Sequence, residues 1–161
     1  MSPDIIHTVM AHLDQTIHQI LPKSARCQSF GGAVNGLSTF EGDIDSTILI
    51  DEEHIGAVEQ KCVEICLENL STMTDYNQQF AEYAHVLEQM LICQEEVNDA
   101  RRQGEYGIIN QELLTRRDKW RKAIILLALT TVFDRMEIED VVLRARVPIL
   151  KLHLYLDQRQ K

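Results

Sequence analysis

The sequence predicts an α+β domain with a small mixed β-sheet, an N-terminal helix and a long helical hairpin inserted between the strands. Apolar residues repeat at helical spacing near the N-terminus and again through the middle of the chain. Alternating apolar residues mark strands before and after that middle part. An order of helix, two strands, helices and one or two further strands is typical of an α+β domain.

Residues 3–21 are predicted to form the first helix. Ser2 suits the N-cap, Pro3 the first helical position and Asp4 the positive end of the helix dipole. Pro22 ends the helix because it cannot continue the hydrogen-bond ladder. The apolar residues at helical spacing are Ile5, Ile6, Val9, Met10, Leu13, Ile17, Ile20 and Leu21.

Two strands are expected next, at about 25–30 and about 44–50, and the first runs into Gly31-Gly32. Side chains alternate between the faces of a strand. One face of the second strand therefore carries Ile44, Ile48 and Ile50, and the other carries Asp43, Asp45, Thr47 and Leu49.

The middle of the chain is predicted to be helical in three segments, 55–70, 75–103 and 108–133. Breaks are expected near Ser71-Thr72 and Gly104–Gly107. The pattern turns to β again near 138–156, and Pro148 must lie at an edge or a bulge there. The apolar residues of that stretch are Val141, Val142, Val147, Ile149, Leu150, Leu152, Leu154 and Leu156.

The formal net charge of −9 argues against a general attraction to nucleic acid. Residues 104–161 alone are net basic, with 11 basic and 8 acidic residues. Acidic residues are interleaved there, which favours an ordinary solvated helix face over an RNA contact. The candidate residues for an RNA contact are Arg116, Arg117, Lys119, Arg121 and Lys122.

The four cysteines form no CxxC pair. Cys62 and Cys66 lie one helical turn apart, which suits either a metal or two core thiols, and we expect core thiols. Reduced cysteines and the absence of a secretory pattern favour an intracellular compartment. We expect a cytoplasmic location, or a mitochondrial one after removal of a presequence. No apolar run approaches the roughly 18 residues of a membrane span.

Asp43 and Asp45 are the candidate catalytic and metal-binding residues. Two positions apart on a strand, their carboxylates leave the same face, and such a pair is costly without cations. Mg²⁺ prefers carboxylate oxygens, often with substrate phosphates, and paired metals serve in-line phosphoryl transfer. Gly31 and Gly32 are the candidate nucleotide-binding residues, because small residues let backbone N–H groups approach a triphosphate.

The block Phe30-Gly31-Gly32-Ala33-Val34-Asn35-Gly36-Leu37, continued from Ser38 to Asp45, resembles the signature of DNA polymerase β-type nucleotidyltransferases. The similarity is strongest to the noncanonical poly(A) polymerases and terminal uridylyltransferases. A second block, Ala145-Arg146-Val147-Pro148-Ile149-Leu150-Lys151-Leu152, resembles a palm strand of that branch. The resemblance implies a nucleotidyltransferase-like palm over 1–161, with Mg²⁺ as its cofactor if the site is functional.

In the family one helix and a short connection join the two blocks. Here 99 residues, 46–144, intervene. The resemblance therefore implies an inserted helical hairpin at about 72–118. Its position, though no motif, is similar to the middle domain of trypanosomal mitochondrial uridylyltransferases.

The chain departs from the family pattern at several positions. Gly32 stands where the family has the Ser expected to hold the triphosphate, and Gly42 replaces the Ser before the first Asp. Asp157 is the only acid left for the third metal-binding carboxylate, and a surface role suits it better. The base-selecting helical domain that follows the family palm is expected to be missing.

Two functions are compatible with these residues. The first is a degenerate, inactive palm kept as a structural or protein-interaction subunit of a larger assembly, in RNA processing or an organellar ribonucleoprotein. The second is an active Mg²⁺-dependent terminal ribonucleotidyltransferase, adding uridylyl or adenylyl groups, or its catalytic fragment. A minimal, antitoxin-like nucleotidyltransferase ranks last because it lacks the second block.

The two long helices are candidate docking elements for such a partner. The alternative is that their apolar residues pack against each other. The residues concerned are Phe80, Val86, Leu87, Met90, Leu91, Ile124, Leu127 and Val132.

Overall fold

The computed structural model describes residues 3–30, 45–75, 77–103, 111–133, 137–143 and 147–153. Helices and strands both occur in these ranges, so the predicted α+β class is confirmed. The chain divides into two compact units, residues 1–58 and 59–161. The single-domain organisation stays a prediction.

In the first unit, helix α1 spans Pro3–Ile17 and ends four residues earlier than predicted. Its last turn tightens, because Ile20 N donates to Ile17 O over 3.1 Å and Leu21 N donates to the same oxygen over 2.8 Å. Ile20 and Leu21 are nevertheless buried. The apolar spacing of Ile20 and Leu21, which extended the predicted helix to residue 21, therefore reflects the burial of these side chains and not a helical backbone.

Strand β1 spans Arg26–Phe30. One hydrogen bond joins it to α1, and a second joins the residue after α1 to the residue before β1. Asp14 Oδ1 accepts from Cys27 N over 2.6 Å. His18 Nε2 donates to the Ala25 carbonyl oxygen, also over 2.6 Å. These contacts fix the start of the strand beside the end of the helix.

Strand β2 spans Asp45–Leu49 and pairs with β1 in antiparallel register. Arg26 lies opposite Leu49, and Phe30 lies opposite Asp45. Both strands were predicted from alternation, and the described parts lie within the predicted bounds.

Three helices dominate the second unit. Helix α2 spans Glu52–Thr72 and enters this unit at Glu59, α3 spans Gln78–Arg102, and α4 spans Gln111–Leu129. The three predicted helices are confirmed. The break predicted near Ser71-Thr72 falls at the end of α2, whereas the one predicted at Gly104–Gly107 lies outside the described residues. None of the helices in the described ranges combines the length and the apolar character that crossing a membrane requires.

Helices α3 and α4 pack against each other and run antiparallel. Tyr83 near the start of α3 contacts Thr130 just after α4, while Glu96 late in α3 contacts Arg116 early in α4. This is the geometry of the predicted helical hairpin. The predicted boundary at residue 118 falls inside α4, and the hairpin as an insertion into a palm stays a prediction.

Strands β3, Ile138–Val142, and β4, Ile149–Leu152, form a second antiparallel pair with a bulge between Ile138 and Asp140. Pro148 directly precedes β4, where its missing N–H costs no ladder bond. We expected one mixed sheet, but the described strands form two separate antiparallel pairs. Each pair joins strands that are close in sequence, which keeps the cost of loop closure low.

Candidate functional site

The predicted catalytic block lies where β1 ends and β2 begins. Phe30, the last residue of β1, lies opposite Asp45, the first residue of β2, in the antiparallel pair. The Asp45 side chain is exposed. Gly31, Gly32 and Asp43 lie outside the described residues. The triphosphate cradle and the pair of metal-binding carboxylates therefore stay predictions.

The basic segment of α4 surrounds a buried carboxylate that sequence reasoning missed. Glu59, on α2, is 4% exposed. Its Oε1 accepts from Arg121 Nε over 2.7 Å, and its Oε2 accepts from Arg117 Nη2 over 3.1 Å. Gln94 Nε2 on α3 donates to the same Oε2 over 2.9 Å. We call these four side chains the Glu59 cluster; it links all three helices of the second unit.

Opposing effects set the pKa of Glu59. Burial raises the pKa, but the hydrogen bonds from Gln94, Arg117 and Arg121 and the positive charge of Arg121 lower it. The balance leaves the pKa below its ordinary value, so Glu59 is ionised at neutral pH. Arg117 Nε is buried without a hydrogen-bond partner, so the cluster does not satisfy every donor.

The remaining basic residues of α4 also have neighbours that reduce their availability to a polyanion. Arg116 Nη2 lies 3.3 Å from Glu96 Oε2 on α3, and Lys122 Nζ lies 2.9 Å from Asp118 Oδ2. Lys119 Nζ lies 4.9 Å from the centre of the Trp120 ring, a cation–π distance. Arg116 and Lys122 therefore each have an acidic partner. The choice between a solvated face and an RNA contact stays a prediction.

The thiols are structural. Cys62 and Cys66 are fully buried and free, and burial raises the pKa of each to about 12. The Cys66 thiol donates to the Ile124 carbonyl oxygen over 3.7 Å. Both thiols lie in the hydrophobic core, which confirms the prediction of core thiols. The pKa of Cys27 is likewise raised to about 12, by burial first and by Asp14 second.

Asp51, Glu53 and His54 form a group of possible metal ligands at the start of α2, with ligand atoms within 4.8 Å of one another. Both carboxylates are exposed. Acids are also what the positive end of a helix favours, which accounts for Glu53 without an ion. We assign no metal to this group.

An open groove in the second unit was not predicted. It lies between the end of α2, the start of α3 and the turn after α4, and its volume is about 610 Å³. The break predicted near Ser71-Thr72 lies at its rim, but only the packing of the helices brings that break close to the turn after α4. The lining residues are Asn69, Thr72, Met73, Thr74, Asp75, Asn77, Gln79, Tyr83, Thr130, Thr131, Phe133 and Ile138.

No protein-family model, curated protein or solved structure matches the chain. The functional assignment therefore depends on the residues and their geometry alone.

The candidate docking residues divide between the hydrophobic core and the surface. Five of the eight are buried, as packing of the helices on each other requires: Val86, Leu87, Met90, Ile124 and Leu127. Leu91 is 42% exposed and remains available to a partner.

Proposed function

We propose that the chain is a structural, protein-interaction subunit of a larger assembly, built on a degenerate nucleotidyltransferase palm. The assembly is one that processes RNA or is an organellar ribonucleoprotein. In this role the subunit contacts other proteins and neither transfers nucleotides nor binds RNA.

The observation that carries the proposal is the engagement of the basic residues of α4. Arg117 and Arg121 are only 20% and 19% exposed, because both contact Glu59. Moving them to a phosphate would leave a buried carboxylate uncompensated, which costs several kcal/mol. With a net charge of −9, the chain is poorly suited to hold RNA.

Exposed apolar side chains on the helices supply contact area for protein partners. Leu67 on α2 and Leu91 on α3 are 44% and 42% exposed, and Val147 before β4 is 62% exposed. Single exposed apolar residues are ordinary on a protein surface. Their contribution to assembly therefore has to be measured.

The experiment is sedimentation of the chain, tagged and expressed at its native level in its own cells. We expect it to sediment with a much larger particle after nuclease treatment, and cross-linking to place protein partners on α2 or α3. Replacement of Leu91 by Ser should weaken that association, while Glu88→Ser on the same helix serves as the matched control. Sedimentation as a free chain would contradict the proposal.

The alternative, an active Mg²⁺-dependent nucleotidyltransferase, is favoured by the survival of Asp43 and Asp45 and by the exposure of Asp45. Calorimetric titration with UTP and ATP in the presence of Mg²⁺ tests it. An active site predicts saturable binding that Asp43→Asn and Asp45→Asn abolish and the surface variant Asp99→Asn leaves unchanged. We expect no saturable binding by any of these proteins.

A further inference from the structure

The polar groove of the second unit has a volume and a lining that suit a peptide-binding site. Its volume of about 610 Å³ lies within the range of roughly 300–1,000 Å³ that is usual for ligand sites. Tyr83, Phe133 and Ile138 supply apolar surface, and the rest of the described lining is mainly hydroxyl and amide groups. Such groups hydrogen-bond to the backbone of an extended chain.

A smaller cavity of about 80 Å³ adjoins the groove and shares four of its residues, among them Tyr83 and Thr130. Tyr83 Oη and Thr130 Oγ1 are hydrogen-bonded over 2.8 Å, and Thr130 Oγ1 also donates to Leu127 O over 2.5 Å. These bonds tie α3 to the turn after α4. Tyr83 and Thr130, which line both cavities, are therefore fixed in position by hydrogen bonds.

Among the described residues that line the groove and the adjoining cavity, the charged side chains are acidic. Asp75 lines the groove and Glu82 lines the adjoining cavity. None of the described lining residues is Lys, Arg or His, and neither carboxylate has a basic partner in the described ranges. The carboxyl ends of α2 and α4, at Thr72 and Leu129, lie beside the groove and add partial negative charge. The amino end of α3 opposes them, but Asn77 accepts from its Phe80 N–H.

We propose that this groove binds an extended segment of a partner protein through a Lys or Arg side chain that pairs with Asp75, while Glu82 in the adjoining cavity adds negative charge. Nucleic acid is disfavoured because both carboxylates repel phosphate. The inference rests on the proposed role as a protein-interaction subunit and names the chemistry of one contact.

The test is titration of the purified chain, observed by NMR, with the capped peptide Ser-Arg-Thr-Arg-Ser and its Gln and Glu counterparts. We expect the Arg peptide alone to shift signals of Thr72, Thr74, Thr130 and Thr131, with binding that weakens as salt is raised. Absence of shifts, equal binding of the three peptides, or shifts elsewhere on the chain would each overturn the proposal.

Matched variants locate the contact. Asp75→Asn together with Glu82→Gln should weaken binding about fivefold, the effect of losing two solvent-accessible ion pairs. Glu88→Gln with Glu95→Gln removes two exposed carboxylates from α3 outside the groove and should leave binding unchanged. Equal effects of the two double variants would show only non-specific attraction and would contradict the assignment.

The two proposals fail in different ways. If the wild-type chain sediments with a larger particle but does not bind the Arg peptide, the groove is not the contact and the protein-interaction role stands. If the chain sediments alone, that role fails whatever the peptide does.

Discussion

Glu59 is the single residue on which the geometry of the second unit depends most directly. Its carboxylate compensates two arginines, and the three donors lie 35, 58 and 62 positions away along the chain. The sequence does contain a signal, since Glu59 falls on the apolar stripe of α2 with Val58, Cys62 and Val63. Periodicity marks it as buried, but it does not reveal which cations it meets.

Replacing Glu59 by Gln should destabilise the protein strongly. The substitution keeps the shape and removes the charge, so two guanidinium groups are left facing each other with a neutral amide. We expect a loss of about 3 kcal/mol, the low end for a buried pair that loses one partner, because both arginines are partly exposed. The shift of the urea midpoint at unchanged slope measures it.

The matched control for that variant is Glu96→Gln. Its pair with Arg116 at 3.3 Å is exposed on both sides, so its loss should cost less than about 1 kcal/mol. Equal midpoints for the two variants would mean that burial does not strengthen the Glu59 contacts.

The lowered pKa of Glu59 predicts a pH dependence of stability with a definite sign. A carboxyl group with a pKa lower in the folded state than in the unfolded state stabilises the fold above the unfolded pKa. That contribution is complete at pH 7 and is lost as the pH falls below about 4.3, the ordinary value for Glu, towards the lowered folded value. The difference in unfolding free energy between wild type and Glu59→Gln should shrink over this interval. A difference that is the same at pH 7 and pH 3 would refute the assignment.

At the scale of elements, sequence patterns predicted helices and strands well and their ends less well. Helix α2 begins at Glu52, three residues before the predicted start, because its polar first turn carries no apolar signal. The turn after α4 is set by Thr130 and Thr131, whose hydroxyls bond back to Leu127 and Ala128. Such local hydrogen bonds end a helix while the apolar pattern continues.

The start of α3 depends on Asn77, whose Oδ1 accepts from Phe80 N over 3.1 Å. We predict that Asn77→Ala destabilises the protein by about 1 kcal/mol, the usual loss on removing an N-cap. Asn77→Ser keeps a capping oxygen and should stay within a few tenths of a kcal/mol of wild type. Thermal unfolding of the three proteins measures the effect. Equal losses in Ala and Ser would show that the cap does not stabilise α3.

At the scale of the whole chain, the two blocks that resemble a nucleotidyltransferase palm fall in different compact units. Phe30 and Asp45 belong to residues 1–58, whereas Ile149–Leu152 belong to residues 59–161. Each block is a short continuous segment, so its residues could be identified from the sequence alone. The Glu59 cluster and the groove depend on contacts between distant segments, which periodicity does not specify.

The contacts of the basic residues of α4 also predict whether the intact chain binds RNA. Its net charge is −9, and four of the five candidate cations on α4 contact Glu59, Glu96 or Asp118. Non-specific binding by nucleic-acid-binding proteins has a Kd of about 1–100 µM at physiological salt, and it depends on free cations. We therefore predict no saturable binding of a labelled 20-nucleotide oligouridylate up to about 100 µM at about 150 mM salt.

The variant Arg116→Gln with Lys122→Gln decides whether any binding that is observed comes from α4. Both side chains are about half exposed, so they are the residues of the segment that can turn towards a phosphate at little structural cost. If wild type binds RNA with micromolar affinity and this variant does not, the basic segment is an RNA contact after all. A matched loss of charge in the first unit, Lys23→Gln with Arg26→Gln, should have no effect in that case. Fluorescence anisotropy at two salt concentrations separates these outcomes, because a real phosphate contact weakens steeply as salt is raised.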